Sequence, residues 1–203
     1  MQSICVNNQS VTPSKIVCVG RNYVEHIQEL NNEIPEQMVV FNKPNSSLSH
    51  ELNSVHGEPL HYEAELCFVY QQGRFSAVGL GLDLTKRQLQ SQLKSKGLPW
   101  ERAKAFDGSA VFSDFVAIEQ IEPSLRLELW IDEQLVQSGG IKLMMYKPDD
   151  ILAQLQSYTT LVDGDVVMTG TPKGVGEINA GSRFVGKVFV GEQQLIEHAW
   201  LAI

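Results

Sequence analysis

The chain has 203 residues, with 16 Lys and Arg against 24 Asp and Glu, a formal net charge of −8. That length suits one domain or two small ones, and the acidic balance excludes a nucleic-acid binder, which needs a basic surface to neutralise phosphates. A hydrophobic fraction of 43% and a charged fraction of 20% exclude disorder, collagen-like repeats and coiled-coil arrays.

In chain order, short runs divided by Gly, Pro and Asn predict strands over Lys15–Val19, Met38–Asn42, Tyr62–Tyr70, Ala77–Leu84, Arg126–Asp132, Asp165–Thr169, Arg183–Val190 and Gln194–Trp200. The last two, joined by Gly191-Glu192-Gln193, read as a hairpin. Three short helices are expected. Asn22–Leu30 carries apolar residues at Tyr23, Ile27 and Leu30. Thr85–Ser95 opens on a Thr cap and stops at Gly97. Pro148 to Tyr158 starts with Asp149 and Asp150, where the helix dipole favours acids. The polar stretch 42–59 reads as a long surface loop, and one mainly β domain over residues 1–203 is the economical organisation.

The three cysteines, Cys5, Cys18 and Cys67, have no CxxC or zinc-ribbon spacing and read as small hydrophobes in a reducing compartment. No apolar run approaches the ~20 residues that span a bilayer, and Met1–Ser10 lacks the pattern of a signal peptide. The expectation is a cytoplasmic protein with no membrane partner.

The most informative window is His61-Tyr62-Glu63-Ala64-Glu65-Leu66-Cys67-Phe68. On a strand, Glu63 and Glu65 share one face with Cα atoms roughly 6.5–7 Å apart. In a strand otherwise apolar on both faces, adjacent carboxylates are costly without a cation. Either they hold one, or this end of the strand emerges into solvent. Asp83 closes the run Gly79-Leu80-Gly81-Leu82-Asp83, where the two glycines leave room for another group to approach. It is either a third acid of the same site or part of a plain strand-to-helix turn. Three carboxylates without cysteine form a hard oxygen set that suits Mg²⁺ or Mn²⁺ better than zinc.

His26 and Glu29 lie i,i+3 on the first helix, so they are neighbours on one face. A carboxylate beside an imidazole suits a general base, although such pairs are also common on exposed helices. The segment Gly170-Thr171-Pro172-Lys173-Gly174-Val175-Gly176 has neither a P-loop nor a dinucleotide fingerprint. It reads as a loop whose N–H groups could meet an anion. No GxSxG elbow is present.

Together these segments resemble the fumarylacetoacetate hydrolase superfamily, in its short single-domain acylpyruvate hydrolase and oxaloacetate decarboxylase branch. The matching stretches are Gly20-Arg21-Asn22-Tyr23 with His26 and Glu29, Lys43-Pro44, His61 to Leu66, and Leu82-Asp83 with Thr85, Arg87 and Gln90. Lys96-Gly97-Leu98-Pro99-Trp100 with Lys104 and Phe106, and Thr169 to Gly176, complete the series. The resemblance implies an α+β, mainly β fold, a mixed β-roll with a few flanking short helices, and a homodimer. It places Mg²⁺ or Mn²⁺ on Glu63, Glu65 and Asp83. It makes His26 with Glu29 a water-activating dyad on a segment that orders over the substrate, gives Lys104 an oxyanion or enolate to steady, and sets Arg87, Gln90 and Thr171 at the substrate's carboxylate end. His61 would support the ligands without being one.

The implied enzyme is a metal-dependent hydrolase that cleaves the C3–C4 bond of 2,4-dioxo acids, acylpyruvates of the fumarylpyruvate type included, to pyruvate and a carboxylic acid. The alternative on the same site is an oxaloacetate decarboxylase or keto–enol tautomerase, since all three reactions pass through a pyruvate-type enolate. The small-molecule substrate is thus a 2-oxo or 2,4-dioxo acid. Three segments depart from the family pattern: Gly140-Ile141-Lys142-Leu143, Ala110-Val111 and the short turn Val175–Gly181. They bear on substrate preference, the pocket rim and the dimer, not on the acidic set.

Overall fold

The computed structural model describes residues 1–30 and 32–203. The strands and helices follow in chain order: β1 (Ile4–Val6), β2 (Gln9–Val11), β3 (Lys15–Gly20), α1 (Val24–Glu29), β4 (Val39–Pro44), β5 (Leu48–Ser49), β6 (Leu60–Tyr62), β7 (Ala64–Gln71), β8 (Arg74–Asp83), β9 (Thr85–Lys86), α2 (Arg87–Ser95), α3 (Glu101–Lys104) and β10 (Ala110–Phe112). After them come β11 (Val116–Ala117), β12 (Leu125–Ile131), β13 (Gln134–Gly140), α4 (Pro148–Gln156), β14 (Val166–Met168), β15 (Gly176–Glu177), β16 (Arg183–Val190) and β17 (Gln193–Leu201). The protein is mainly β, as expected.

Four sheets account for the strands. The largest runs β4-β3-β14-β7-β8-β10-β5, with β11 also on β8. It is mixed: β3–β14 and β10–β5 are parallel and the other pairs antiparallel. A four-stranded antiparallel sheet, β13-β12-β16-β17, packs against it. The small sheet β15-β6-β9 and the hairpin β1-β2 complete the set.

The large sheet is buried on both faces, which explains why β7 is apolar on both. One face sends Leu66, Phe68, Leu80 and Leu82 into a core with Leu127, Leu129, Phe184 and Val188 of the second sheet. The other sends Cys67 and Val69 into a core with Ile16, Cys18, Phe115 and Met168. Gly79 and Gly81 are needed there. A Cβ on Gly79 would lie 2.7 Å from the Phe115 ring, and one on Gly81 would lie 2.7 Å from the Phe112 ring and 2.8 Å from Cys67 Sγ.

Several boundaries differ from the sequence expectation. The strand expected over 62–70 breaks at Glu63, so β6 and β7 belong to different sheets. Thr85 is not a helix cap: it pairs with His61 in β9, and α2 starts at Arg87. Helix α1 spans only Val24–Glu29, and α4 stops at Gln156 rather than Tyr158. Stretch 42–59 is no surface loop, because Lys43, Asn45, Ser47, Leu48, Leu52 and Ser54 are buried and β5 lies within it. Strand β13, the partner of β12, is an addition that polar Gln134, Gln137 and Ser138 concealed. The C-terminal hairpin is as expected. No described helix is long and apolar enough to cross a membrane. The cysteines are free, with Cys18 and Cys67 buried and Cys5 half-buried.

Candidate active site and metal centre

Hairpin β7–β8 builds the floor of the site. Glu65 pairs with Gly81 and Cys67 with Gly79, and cross-strand partners share a face. Gly81 therefore leaves the space beside Glu65 open to neighbouring groups. Asp83 ends β8 on the same face, two residues beyond Gly81. Glu63 arrives from the break before β7, where its carbonyl accepts the Asp83 N–H at 2.8 Å. Carboxylate oxygens of Glu63, Glu65 and Asp83 lie within 4.8 Å of one another, and all three residues are buried. The reading in which these acids reach solvent is thereby excluded.

Three cations answer this charge, but unevenly. Lys104 Nζ, carried by α3, donates to Glu63 Oε2 at 2.9 Å, Asp83 Oδ2 at 2.7 Å and Thr85 Oγ1 at 2.6 Å, so all three of its N–H bonds are used. Arg87, at the start of α2, pairs with Glu63 Oε1 and also donates to Gln90 Oε1 at 2.8 Å. Lys43 of β4 is fully buried; its Nζ bonds the Lys104 carbonyl and the Ser109 carbonyl and sits 2.8 Å from Asp83 Oδ1. Glu65 contacts none of these cations and, among the described residues, receives only the Gly170 N–H at 2.6 Å.

The electrostatics follow. Burial would raise the Glu63 carboxyl, but Lys104 and Arg87 outweigh it and hold it well below the usual carboxylate range. Glu65 moves the opposite way: burial, then Asp83 and Glu63, push it well above its ordinary value. Burial would lower the Lys104 ammonium, yet Asp83 and Glu63 keep it above the usual lysine value. His61 falls below the ordinary imidazole value through burial and the nearby Arg87, which favours its neutral form.

The arrangement fits a hard divalent cation. The charge on Glu65 has no partner cation, and Asp83 Oδ1, although 2.8 Å from Lys43, is buried without a hydrogen-bond donor in line with it. A buried acceptor left this way needs another ligand. Oxygen-only donors on three carboxylates match Mg²⁺ or Mn²⁺ chemistry.

His26 lines the same pocket, together with Arg87, Gln90, Lys104 and Thr171. Its Nδ1 lies 3.1 Å from Glu29 Oε2, with His26 buried and Glu29 partly exposed. Glu29 Oε1 in turn accepts the Gly174 N–H at 2.9 Å. The anions that the glycine loop meets are thus the protein's own Glu65 and Glu29. Thr171 lies in the pocket wall, with its hydroxyl already engaged: it donates to the Ala64 carbonyl at 2.8 Å and accepts from Gln137 Nε2 at 2.9 Å. Eight of the nine expected site residues therefore line one pocket, Glu29 standing behind His26, and the 140–143 segment does not line it.

Sequence reasoning gave no role in the site to four contributors, although Asn22, Lys43 and Thr85 lie in the matching stretches. Lys43 was concealed because strand β4 runs on to Pro44, past the expected end at Asn42; it falls on the Phe41 face by alternation. Thr85 was taken for a cap. Asn22 is fully buried and bonds the carbonyls of Tyr146 and Thr169 and the Tyr146 N–H, joining three chain segments. Gln137 bonds the Ala64 N–H, Thr171 and the Pro172 carbonyl. Neither amide carries a local signal, since their partners are far away in sequence.

Comparison with known proteins agrees with this geometry. The family model described as fumarylacetoacetate (FAA) hydrolase C-terminal matches residues 15–197. A mitochondrial oxaloacetate tautomerase of Oryza sativa subsp. japonica is 38% identical over 192 residues, covering 84% of each chain. Among solved structures, an Oleispira antarctica protein provisionally assigned as a fumarylacetoacetate isomerase/hydrolase superposes with a TM-score of 0.92 at 34% identity, covering 100% of both chains. Fumarylpyruvate hydrolase from Pseudomonas aeruginosa, solved in complex with Mn²⁺ and pyruvate, gives 0.88 at 26% identity, covering 100% of this chain and 95% of that one. The chain belongs to the fumarylacetoacetate hydrolase family.

Proposed function

We propose that the chain is a divalent-metal-dependent enzyme, one catalytic domain over residues 1–203, that interconverts the keto and enol forms of oxaloacetate. The observation that carries this is that His26, held at Nδ1 by Glu29, lines the same pocket as the buried acids Glu63, Glu65 and Asp83. Such a pocket can move a proton beside a chelated 2-oxo acid. The tautomerase relative supports this choice over C–C hydrolysis, which the sequence alone put first.

Glu63, Glu65 and Asp83 would hold Mg²⁺ or Mn²⁺. When bound, such an ion polarises the 2-oxo carbonyl and offsets enolate charge. Arg87 and Gln90 orient the substrate carboxylate next to the carbonyl. Lys104, its three N–H bonds engaged by Glu63, Asp83 and Thr85, offsets the developing enolate charge as a nearby cation rather than as a hydrogen-bond donor. His26 exchanges the C3 proton through Nε2, because Nδ1 is engaged by Glu29, which fixes the ring. Thr171, its hydroxyl already engaged, shapes the pocket wall.

Loss of the enol ultraviolet absorbance of oxaloacetate tests the reading. Turnover is expected with Mg²⁺ and absent with chelator, and His26→Asn should lower kcat by about 100-fold or more. Equal rates with and without chelator would contradict it.

Hydrolysis of 2,4-dioxo acids is a second reading, supported by the fumarylpyruvate hydrolase that binds Mn²⁺ and pyruvate. There His26 would deprotonate a water instead of C3. Decarboxylation of oxaloacetate needs the same chelation and no attacking water. Release of pyruvate from acetylpyruvate or from oxaloacetate, measured in parallel, separates the three. We further propose a homodimer in a reducing, cytoplasmic-type compartment, in keeping with the three free cysteines.

A further inference from the structure

Two cations of the pocket play no part in this chemistry. Arg21, just after β3, and Lys94, in the last turn of α2, both line the pocket. Neither has a carboxylate partner among the described residues. The Arg21 guanidinium carbon and Lys94 Nζ each sit 5.9 Å from the centroid of the Trp100 ring, so one indole steadies both. Among the described residues, the Lys94 ammonium bonds one neutral acceptor, Asn32 Oδ1 at 2.7 Å, and has two further N–H donors.

Keeping these charges together is unfavourable in the free protein. Lys94 is half-buried beside Arg21 and Arg87, and Arg21 has φ 55°, a left-handed conformation that a non-glycine residue adopts only at a cost. Strain and unpaired charge of this kind gather at ligand clamps. A chain of net charge −8 thus concentrates Arg21, Arg87, Lys94 and Lys104 around one pocket. Arg87 and Lys104 are already paired with Glu63 and Asp83; Arg21 and Lys94 are not. Helix α2 sets the spacing: Arg87, Gln90 and Lys94 recur at i, i+3 and i+7 on one face, which spans about 10 Å along the axis.

We propose that Arg21 and Lys94 form a subsite for the distal carboxylate of a dicarboxylic 2-oxo acid. They set specificity and do not touch the reacting atoms. The subsite rests on the proposed 2-oxo acid chemistry for the other end of the ligand.

The test is calorimetric binding to the Mn²⁺-loaded protein of two probes with the same 2-oxo acid end. Pyruvate has no distal anion, and 3-sulfopyruvate carries one. The wild type is expected to bind sulfopyruvate about tenfold more tightly or better. Lys94→Met and Arg21→Asn, the latter chosen because asparagine tolerates positive φ, should each close most of that gap. Pyruvate affinity and the thermal midpoint should stay unchanged, which a merely structural role would not give. Equal affinity of the wild type for both probes, no sulfopyruvate binding, or equal weakening of both probes in the variants would overturn the proposal. If oxaloacetate is not turned over but the gap and its loss are seen, the subsite stands and the tautomerase reading fails. If turnover is seen without the gap, only the subsite fails.

Discussion

A buried carboxylate is tolerated only when something answers its charge, and Asp165 and Glu65 represent opposite outcomes. Asp165 is fully buried at the start of β14; Oδ1 accepts the Ser14 hydroxyl at 2.6 Å and the Ser14 N–H at 3.1 Å, while Oδ2 takes Lys15 Nζ at 2.6 Å and the Val162 N–H at 3.0 Å. Burial would raise its carboxyl, but the bonds from Lys15, Ser14 and Val162 outweigh it and hold it below the ordinary value. The folded-state pKa is therefore depressed. Its stabilisation is present in full above about pH 4, the unfolded value, and is lost as pH falls through the lower folded one. Asp165→Asn is expected to cost about 3 kcal/mol in urea unfolding at pH 7, with the difference from wild type shrinking as pH falls below 4. A pH-independent difference would show that charge is not the cause. Glu65 has no such set of donors, and its charge is left for a ligand to meet.

The β7–β8 hairpin turns that residue chemistry into a site, and it was the most legible element in the sequence. The apolar runs Ala64–Tyr70 and Gly79–Asp83 read as strands, because a strand buried on two sides is apolar throughout, and the geometric alternation of neighbours then assigns each residue its face. The break at Glu63 was not legible, since nothing in Tyr62-Glu63-Ala64 announces that β6 joins another sheet. The same difficulty applied to 42–59, where polar Asn45 and Ser54 are buried through distant partners, Gln2 and Pro13 for the first and Ile203 for the second. Gly81→Ala should report on the hairpin. Its Cβ would meet the Phe112 ring and Cys67 Sγ, and such overpacking costs about 1–3 kcal/mol. Because Gly81 faces Glu65, Mn²⁺ affinity is expected to fall along with the unfolding midpoint. A variant that loses stability while binding Mn²⁺ as wild type does would separate the glycine's packing from the site.

At the scale of the molecule, the family and the mainly β architecture were legible because motifs spread along the chain keep one order, which no single periodicity could reveal. Which cation pairs with which acid was not legible, as Lys43, Arg87 and Lys104 reach the triad from β4, α2 and α3. The proposed homodimer predicts a light-scattering mass of twice the 22.6 kDa chain, and a monomer at micromolar concentration would contradict it. All the proposed chemistry depends on one ion held by the buried acids. Calorimetric titration with Mn²⁺ tests this most directly. One ion per chain is expected for the wild type, and none for Glu65→Gln or Asp83→Asn variants that keep the wild-type circular dichroism. No uptake by the wild type, or undiminished uptake by both folded variants, would contradict the account.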